Sequence, residues 1–493
     1  MNASRTTAAV GTGGVLGTSC LSTFVVNANT SAVSILLPSI GADLDASLDL
    51  LQWAVTGYLL MGAATIVTSG ALGDVFGRRR VFLGGLALFV ASCALIALAS
   101  TGGLVVAGRV IQGAAGAAIL ASGLSLLSVA TEGPRQMRAV ALWGAASAAG
   151  AAAGPVVGGL LDEATGWQGL FWVDAAIAVV CIPWVLWTVP ESRDPTRARS
   201  IDVAGTVLVA AVLAPFVFAV TKGSSWGWAS LPTLGCLLVS VLAAVGFVVV
   251  ERRVEAPLVD LALLRNALLV GATGAILIGA GAIAGISFLI SLYFQDPATF
   301  GMTPLQAGLA TLPVAAVVIV VAPAVTPLAN RFGARRVVVL GFVLLTVGFA
   351  VLGAVRASWS YAAFLPSLLG IAVGLGLSNG PSSSIATASV GSDQVGAASG
   401  ISNMARYVGG AVMTAVVAGI YASVTAARTV SGAGSAEALA GGLSRACIAL
   451  AIFCALGIPL ARRVARRTHP PRAVDLAAAA AATSHTLPVV PRP

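Results

Sequence analysis

The chain has 493 residues, of which 58% are hydrophobic and only 9% are charged, and its formal net charge is +9. Its mean hydropathy is +0.97. Soluble domains carry about 25% charged residues, so the composition excludes an ordinary soluble domain. The positive charge could indicate nucleic-acid binding, but the arginines are concentrated in alternate loops between apolar segments. The composition therefore predicts a polytopic α-helical membrane protein.

Fourteen helices are predicted in chain order, because apolar segments of about 20 residues are long enough to cross a hydrocarbon core of ~30 Å. The predicted spans are 18–38, 53–73, 82–100, 104–127, 139–160, 170–189, 203–221, 232–250, 267–293, 305–328, 337–355, 361–386, 396–422 and 444–461. The basic loops alternate with acidic or nearly neutral ones, and this alternation follows the positive-inside rule. Both termini are therefore predicted to be cytoplasmic, with the loops that begin at Arg78, Arg135, Arg193, Arg252, Arg331 and Arg462 on the same side.

A short hairpin is repeated along the chain and divides it into domains. The segment that runs from Gly70 to Arg80 recurs about 256 residues later, with Phe76 and Gly77 matched by Phe332 and Gly333. Internal repeats in a membrane chain are typical of transporters built from two related halves. We predict a cytoplasmic N-terminus (1–17), a six-helix half (18–190), two inserted helices (201–252), a second six-helix half (266–462) and a disordered cytoplasmic tail (463–493).

The cysteines and histidines give no indication of a cofactor or a metal site. All six cysteines lie in apolar segments without paired spacing, as expected for small buried hydrophobic residues. Both histidines, His469 and His485, lie in the C-terminal tail. No GxxxxGK[ST] nucleotide signature is present, so we expect no cofactor, no metal and an ion gradient as the energy source. A membrane enzyme would need a cluster of reactive side chains at one depth, and none is visible.

Four local patterns carry a resemblance to a known family. They are the Gly70–Arg80 hairpin, the helix 4 segment Arg109-Val-Ile-Gln112-Gly113, the helix 5 segment from Gly150 to Gly159, and the segment from Trp167 to Asp174 that enters helix 6. Together they resemble the major facilitator superfamily, and specifically its fourteen-helix drug:proton antiporter branch, over about residues 18 to 462. The resemblance implies an all-α fold of 6 + 2 + 6 helices with two pseudo-symmetric halves, working as a monomer in the cytoplasmic membrane. The Ala- and Arg-rich composition, with Lys222 as the only lysine, indicates a bacterial source. A belt of aromatic residues at the membrane surface explains the tryptophans of the fourth pattern.

The resemblance implies that the repeated hairpin acts as a cytoplasmic latch. Its residues would be Gly70, Asp74, Gly77, Arg78, Arg79 and Arg80, with Gly333, Arg335 and Arg336 in the copy. A carboxylate favours a helix N-terminus and cations favour a C-terminus, so such a cluster can stabilise one conformation. The copy has Asn330 where the first hairpin has Asp74. The alternative interpretation is that these charges only set the topology of the hairpin.

Helix 5 and helix 4 carry the other two implied functional elements. The small residues Gly150, Gly154, Gly158 and Gly159 would let another helix approach closely, and Pro155 allows a bend. This resembles an antiporter signature, although Ala141 stands where the fuller pattern has glycine; a plain packing face is the alternative.

In helix 4, an arginine such as Arg109 raises the free energy of membrane insertion by roughly 2.5–3.5 kcal/mol, so it should contact a partner or a cavity unless it reaches the outer interface.

Helix 1 departs from the resemblance. Most relatives in this branch carry an aspartate nine residues before the proline of helix 1, and this chain has Asn29 before Pro38. An amide cannot exchange a proton near neutral pH, so the usual coupling residue is missing. Proton coupling would then fall to Asp174, inside helix 6, or to Asp74.

The transport cavity is predicted to contain two arginines and few acids. Arg406 lies about ten residues (~15 Å) into helix 13, so Arg109 and Arg406 would disfavour cationic substrates. The residues predicted to line the cavity are Asn27, Asn29, Thr30, Tyr58, Arg109, Gln112, Asn379, Asn403, Arg406 and Tyr407.

These observations predict a secondary active exporter of small amphipathic compounds, neutral or anionic, that works by alternating access and proton antiport. The expected partners are a small-molecule substrate and membrane lipid, without nucleic acid. The alternatives are an exporter of an endogenous metabolite or lipid, and a facilitator that does not use protons.

Overall fold

The structure, a computed structural model, describes residues 2–131, 133–193, 202–254, 257–391 and 394–463. Within these residues the chain forms fourteen long α-helices and one short 3₁₀ turn, Leu263–Arg265. The helices are α1 Asn2–Asp43, α2 Leu48–Phe76, α3 Arg78–Ala97, α4 Gly102–Ala130, α5 Gly133–Thr165, α6 Gln168–Thr188, α7 Val203–Trp226, α8 Leu231–Glu251, α9 Ala267–Gln295, α10 Pro304–Phe332, α11 Ala334–Leu352, α12 Tyr361–Ala388, α13 Val395–Val430 and α14 Ser435–Arg463. All fourteen contain a stretch long and apolar enough to cross a membrane.

The packing of these helices confirms two pseudo-symmetric halves with an inserted pair. In the first half α1 packs on α5, α2 on α4 and α3 on α6; in the second half α9 packs on α13, α10 on α12 and α11 on α14. The same three pairings therefore occur in both halves. Between the halves α2 packs on α13 and α5 packs on α10. A two-fold relation makes these two contacts equivalent, because α2 corresponds to α10 and α13 to α5. The inserted helices α7 and α8 pack on each other, and α7 lies against both α2 and α13.

Helix boundaries differ from the sequence prediction by several residues at some ends. The first helix begins at Asn2, so most of the predicted N-terminal segment 1–17 continues α1, where no proline interrupts it before Pro38. The breaks after α2 and α10 are sharp, because Gly77 and Gly333 have φ values of 113° and 87°. L-residues rarely adopt this conformation, so glycine at these two positions ends one helix and begins the next. The tail from residue 464 lies outside the described residues.

The two halves meet closely at one end of the bundle. We call the end with the α2–α3 and α10–α11 turns the basic face, and the end with the α1–α2 and α5–α6 turns the distal face. Near the distal face Gln295 of α9 donates to the carbonyl of Ile35 in α1 at 2.9 Å, and Ser291 donates to the carbonyl of Ser34. These bonds join the two halves at the distal face.

Helix α5 packs tightly on both halves through its small residues. A Cβ at Gly150 would lie 2.2 Å from the carbonyl oxygen of Phe24, and one at Gly154 would lie 2.3 Å from that of Ala28. On its other side, a Cβ at Gly159 would lie 2.6 Å from the Cα of Leu305 at the start of α10. The glycines therefore allow a backbone approach on α1 and on α10 that no larger residue permits.

We expect Gly154→Ala to destabilise the protein by about 1–3 kcal/mol, because the added methyl would overlap the α1 backbone. The measurement is the thermal unfolding temperature of the purified protein in detergent. Gly144→Ala is the matched control, since a Cβ at Gly144 of the same helix meets nothing within 4 Å. Equal unfolding temperatures for the two variants would contradict the close approach of α5 and α1.

Candidate functional site

A buried polar network lies inside the first half. Asn29 of α1 donates from Nδ2 to Asp174 Oδ2 of α6 at 2.7 Å. The side-chain oxygen of Asn29, Oδ1, accepts from Arg109 Nη1 of α4, also at 2.7 Å. The three side chains are 0%, 4% and 1% exposed, respectively. The Asn29 amide thus lies between a buried carboxylate and a buried guanidinium and makes a hydrogen bond with each.

Arg109 has partners on three further sides. Its Nε donates to the carbonyl of Ala54 in α2 at 3.0 Å, and its Nη1 donates to Gln112 Oε1 at 2.5 Å. The guanidinium lies 4.3 Å from the centre of the Tyr58 ring, within the range of a cation–π contact. Arg109 is enclosed by these protein groups and does not extend to the surface of the helix bundle. Burial is tolerated because the guanidinium donates to three acceptors through Nε and Nη1 and lies over the Tyr58 ring.

The network extends to the seam between the halves through Tyr58. Its hydroxyl lies 3.1 Å from Thr30 Oγ1 of α1, and its ring centre lies 6.4 Å from that of Tyr407 in α13. A Cβ at Gly62 of α2 would meet the Tyr407 ring at 2.6 Å, so glycine makes room for that ring. Arg109, Tyr58 and Tyr407 therefore form a continuous chain of contacts from the first half to the second.

Arg406 lies in a different environment from Arg109. Its side chain is exposed, and its Nη2 donates to Ser383 Oγ of α12 over a long 3.4 Å. The two arginines were predicted to line one cavity. Instead, Arg109 is enclosed by protein groups, whereas Arg406 presents accessible surface beside the seam residue Tyr407.

The remaining predicted cavity residues are placed in three ways. Tyr58, Asn29 and Gln112 are fully buried, so in this conformation they belong to the network and not to an open wall. Asn27 and Thr30 are half-buried and bond to backbone carbonyls of their own helix, those of Thr23 and Val26. Asn379, Asn403 and Tyr407 are also half-buried. The Oδ1 of Asn379 lies beside Gly279 and has no hydrogen-bond partner in the described part of the chain.

The repeated hairpin is held to its own half at the basic face. Asp74 Oδ1 accepts from Arg78 Nη2 at 2.9 Å, one turn further along the chain. Glu191, just after α6, accepts from the backbone N–H of Arg79 at 3.1 Å and lies 3.6 Å from Arg80 Nε. A carboxylate in this position accepts from a free N–H in the first turn of α3 and interacts favourably with the positive end of the helix dipole.

The copy of the hairpin repeats the backbone, but among the described residues it does not repeat the ion pairs. A Cβ at Gly333 would meet nothing within 4 Å, whereas one at Gly77 would meet the Glu191 carboxylate at 2.6 Å. Arg335 and Arg336 line a groove of about 410 Å³ together with Arg462 of α14. Apolar side chains form the rest of that groove, namely Val339, Leu340 and Val343.

Sequence reasoning missed three members of these sites and misplaced one residue. Glu191, Cys93 and the carbonyl of Ala54 were not expected; Cys93 Sγ lies 3.1 Å from Gln112 Nε2 and is its acceptor. Glu191 was detectable as the acid that follows helix 6 on the side of the hairpin. Trp167 was assigned to an aromatic belt, but it is 3% exposed and donates to Asp43 Oδ2 at 2.9 Å. Neither Cys93 nor Ala54 has a signal in the sequence that distinguishes it from packing residues.

The fold and the site define a membrane transporter of two related six-helix halves with an inserted helix pair. A family profile described as "Major Facilitator Superfamily" matches residues 19–414. The chain therefore belongs to the major facilitator superfamily. It is a membrane transporter and not an enzyme.

Known relatives are similar over most of the chain. It is 32% identical over 401 residues to the tetracenomycin C resistance and export protein of Streptomyces glaucescens, covering 81% of this chain and 74% of that one. It is 31% identical over 468 residues to the cephamycin export protein CmcT of Amycolatopsis lactamdurans, covering 92% and 93%. It is 32% identical over 402 residues to the multidrug efflux pump LfrA of Mycolicibacterium smegmatis, covering 81% and 79%.

A solved structure has the same fold. The human organic anion transporter MFSD10 aligns with a TM-score of 0.61 at 17% identity, covering 91% of this chain and 99% of that one. At this identity the likeness concerns the architecture alone.

We expect Arg109→Lys to destabilise the protein by about 2–4 kcal/mol, because a lysine cannot reproduce the bonds to Asn29, Gln112 and the Ala54 carbonyl at once. The measurement is the thermal unfolding temperature, with substrate transport as a second readout. Arg428→Lys is the control, since Arg428 is an exposed arginine of α13. An Arg109→Lys protein as stable as the Arg428→Lys protein would contradict the network.

Proposed function

We propose that the protein exports small amphipathic, antibiotic-like compounds across the bacterial cytoplasmic membrane by proton antiport. The observation that carries the proposal is the buried contact of Asp174 with Asn29, which in turn binds Arg109. In this proposal helix 6 supplies the carboxylate that helix 1 lacks, and the Asn29 amide connects it to Arg109. An isolated ionisable residue inside a membrane protein is a candidate for a proton pathway.

The proposed proton step uses the charge balance of this network. With Asp174 ionised, its negative charge offsets that of Arg109 across the Asn29 amide. When Asp174 takes up a proton, Arg109 becomes the uncompensated charge of a buried site, which is a costly state. The network then favours a rearrangement that brings Arg109 another anion or water. Because Arg109 stacks on Tyr58 and Tyr58 contacts Tyr407, this change is placed to alter the packing of α2 against α13.

Asp74 fits a latch better than a proton carrier. Asp74 follows Tyr58 by sixteen residues, or about 24 Å along α2, and its carboxylate pairs with Arg78 at the basic face. We therefore propose that the hairpin stabilises the basic face and that Asp174 carries the proton.

The proposed orientation places the basic face in the cytoplasm, following the positive-inside rule. The contacts of α1 with α9 and of α5 with α10 near the distal face then support a conformation closed to the exterior. Rocking of the two halves about the α2–α13 seam would open the other side. Export and not import is supported by relatives named for export of tetracenomycin C and of cephamycin.

We expect Asp174→Asn to reduce substrate-driven proton movement to background while membrane insertion is retained. An amide keeps the size of the side chain but cannot take up a proton. The measurement uses proteoliposomes with an internal pH dye, to which a transported compound is added under a fixed membrane potential. Asp162→Asn is the control, because that carboxylate of the same half also bonds to α1, through Ser39 at 2.7 Å.

A swap variant sharpens this test. Asn29→Asp combined with Asp174→Asn exchanges the acid and the amide across one hydrogen bond, so we expect partial recovery of proton movement. If Asp174→Asn alone still couples substrate to protons, Asp174 is not the carrier. Transport that continues in wild type without a proton gradient, with no proton movement, would identify a facilitator.

The accessible arginine predicts the charge of the substrate. We propose that Arg406 favours neutral or anionic compounds, because an exposed guanidinium at the seam repels cations and attracts carboxylates. Arg406→Ala should lower efflux of anionic compounds most, of neutral compounds less, and leave or raise efflux of cations. The measurement is intracellular accumulation across a matched set of dyes of each charge, with Arg428→Ala as the control. Unchanged efflux in all three classes would exclude Arg406 from recognition.

A further inference from the structure

Two buried carboxylates face each other at the basic end of the inserted helix pair. Asp202 precedes α7 and caps it, accepting from the backbone N–H of Gly205 through Oδ1 at 2.6 Å. Glu251 is the last residue of α8 and accepts from the backbone N–H of Val259 through Oε2 at 3.3 Å. Each carboxylate therefore has one oxygen with a backbone donor and a second oxygen turned elsewhere.

The second oxygens flank the same point and have no donor. Asp202 Oδ2 and Glu251 Oε1 lie 2.3 Å and 2.9 Å from the position that a Cβ on Gly205 would occupy. Both atoms are buried without a hydrogen-bond partner in the described part of the chain. The two residues are 7% and 5% exposed. Two ionised carboxylates in this arrangement would repel each other with little water to screen them.

The charged groups around the pair do not compensate it. Arg252 and Arg253 follow Glu251, but both side chains are exposed, and neither forms an ion pair with these carboxylates within the described residues. Asp260 of the following loop accepts from the backbone N–H of Ala262. On the α2 side, Thr68 bonds to Thr206 and the carboxylate of Asp74 pairs with Arg78. Neither acid therefore has a cation opposite it among these groups.

We propose that Asp202 and Glu251 form a proton-binding site, in which one proton is shared between Asp202 Oδ2 and Glu251 Oε1. The proton turns two facing acceptors into a donor and an acceptor, so every oxygen of the pair has a partner. A bound metal cation fits less well, because the pair offers two oxygens and hard cations take six or more. The site is separate from the Asp174 network and does not depend on the proposed transport mechanism.

The pair is positioned to link the inserted helices to the second half. The bond from Val259 to Glu251 holds the α8–α9 loop, and Val259 packs in an apolar cluster with Leu263, Leu269 and Ile401. Asn266 at the start of α9 donates to the carbonyl of Ser389 after α12 at 2.7 Å. Release of the proton would therefore separate α7 from α8 next to the basic-face ends of α9, α12 and α13. The α8–α9 loop is therefore held less firmly to the end of α8 as the pH on the basic face rises.

The test is the unfolding temperature of the full-length protein in detergent between pH 5.5 and 9. Linkage gives the sign: a folded state that holds a proton which the unfolded state has released loses stability as pH rises. The wild-type unfolding temperature should fall by roughly 2–4 °C over this range. Glu251→Gln carries a permanent donor towards Asp202, so its unfolding temperature should exceed that of wild type at pH 9 and show a smaller decrease with pH.

Controls separate this proposal from its competitors. Asp260→Asn alters another carboxylate of the same loop, one that accepts from the backbone N–H of Ala262, and it should keep the wild-type slope. Asp202→Asn, which retains the helix cap, should flatten the slope as Glu251→Gln does and serves if the latter misfolds. A wild-type slope in both pair variants would overturn the proposal. So would stabilisation of wild type at pH 9 by Na⁺, K⁺ or Mg²⁺ that Glu251→Gln abolishes, because the pair would then hold a cation.

Discussion

The interaction on which this protein depends is the pair of hydrogen bonds made by one amide, that of Asn29. Its nitrogen donates to the Asp174 carboxylate and its oxygen accepts from the Arg109 guanidinium. Without it, a buried anion and a buried cation would each lose a partner in a medium that solvates neither. Because these three residues lie on α1, α6 and α4, the same two bonds also fix the relative position of three helices of the first half.

Much of the fold could be predicted from the sequence, because membrane helices are long, apolar and separated by breakers. The Gly77 and Gly333 turns identified the repeat, and the pairing of helices confirmed it. The helix ends were harder, since a helix continues past the hydrocarbon until something stops it, as α1 does at its N-terminus. The sequence also identified Asn29 and Asp174 separately, one as a missing acid and the other as a possible replacement.

What could not be predicted was which side chains meet. Nothing in a one-dimensional pattern places Asp174 within 2.7 Å of Asn29, because that contact depends on the rotation of α6 against α1. The same limit applies to Arg109 and Arg406, which look equivalent as intramembrane arginines. One is enclosed because α2 offers it a carbonyl and a tyrosine ring, and the other faces accessible space. Glu251 was overlooked for a related reason, since an acid at a helix end is ordinary until another acid is found opposite it.

The two copies of the hairpin differ in the contacts that tie each of them to its own half. In the first half Glu191 joins the start of α3 to the end of α6, so the hairpin between α2 and α3 is also tied to α6 at the basic face. In the second half the equivalent turn has Asn330, no carboxylate among the described residues takes the place of Glu191, and Arg335 and Arg336 line a groove. A rocking motion between such halves would load the two turns unequally, because the first is tied to the end of α6 through Glu191 and the second borders the groove lined by Arg335 and Arg336.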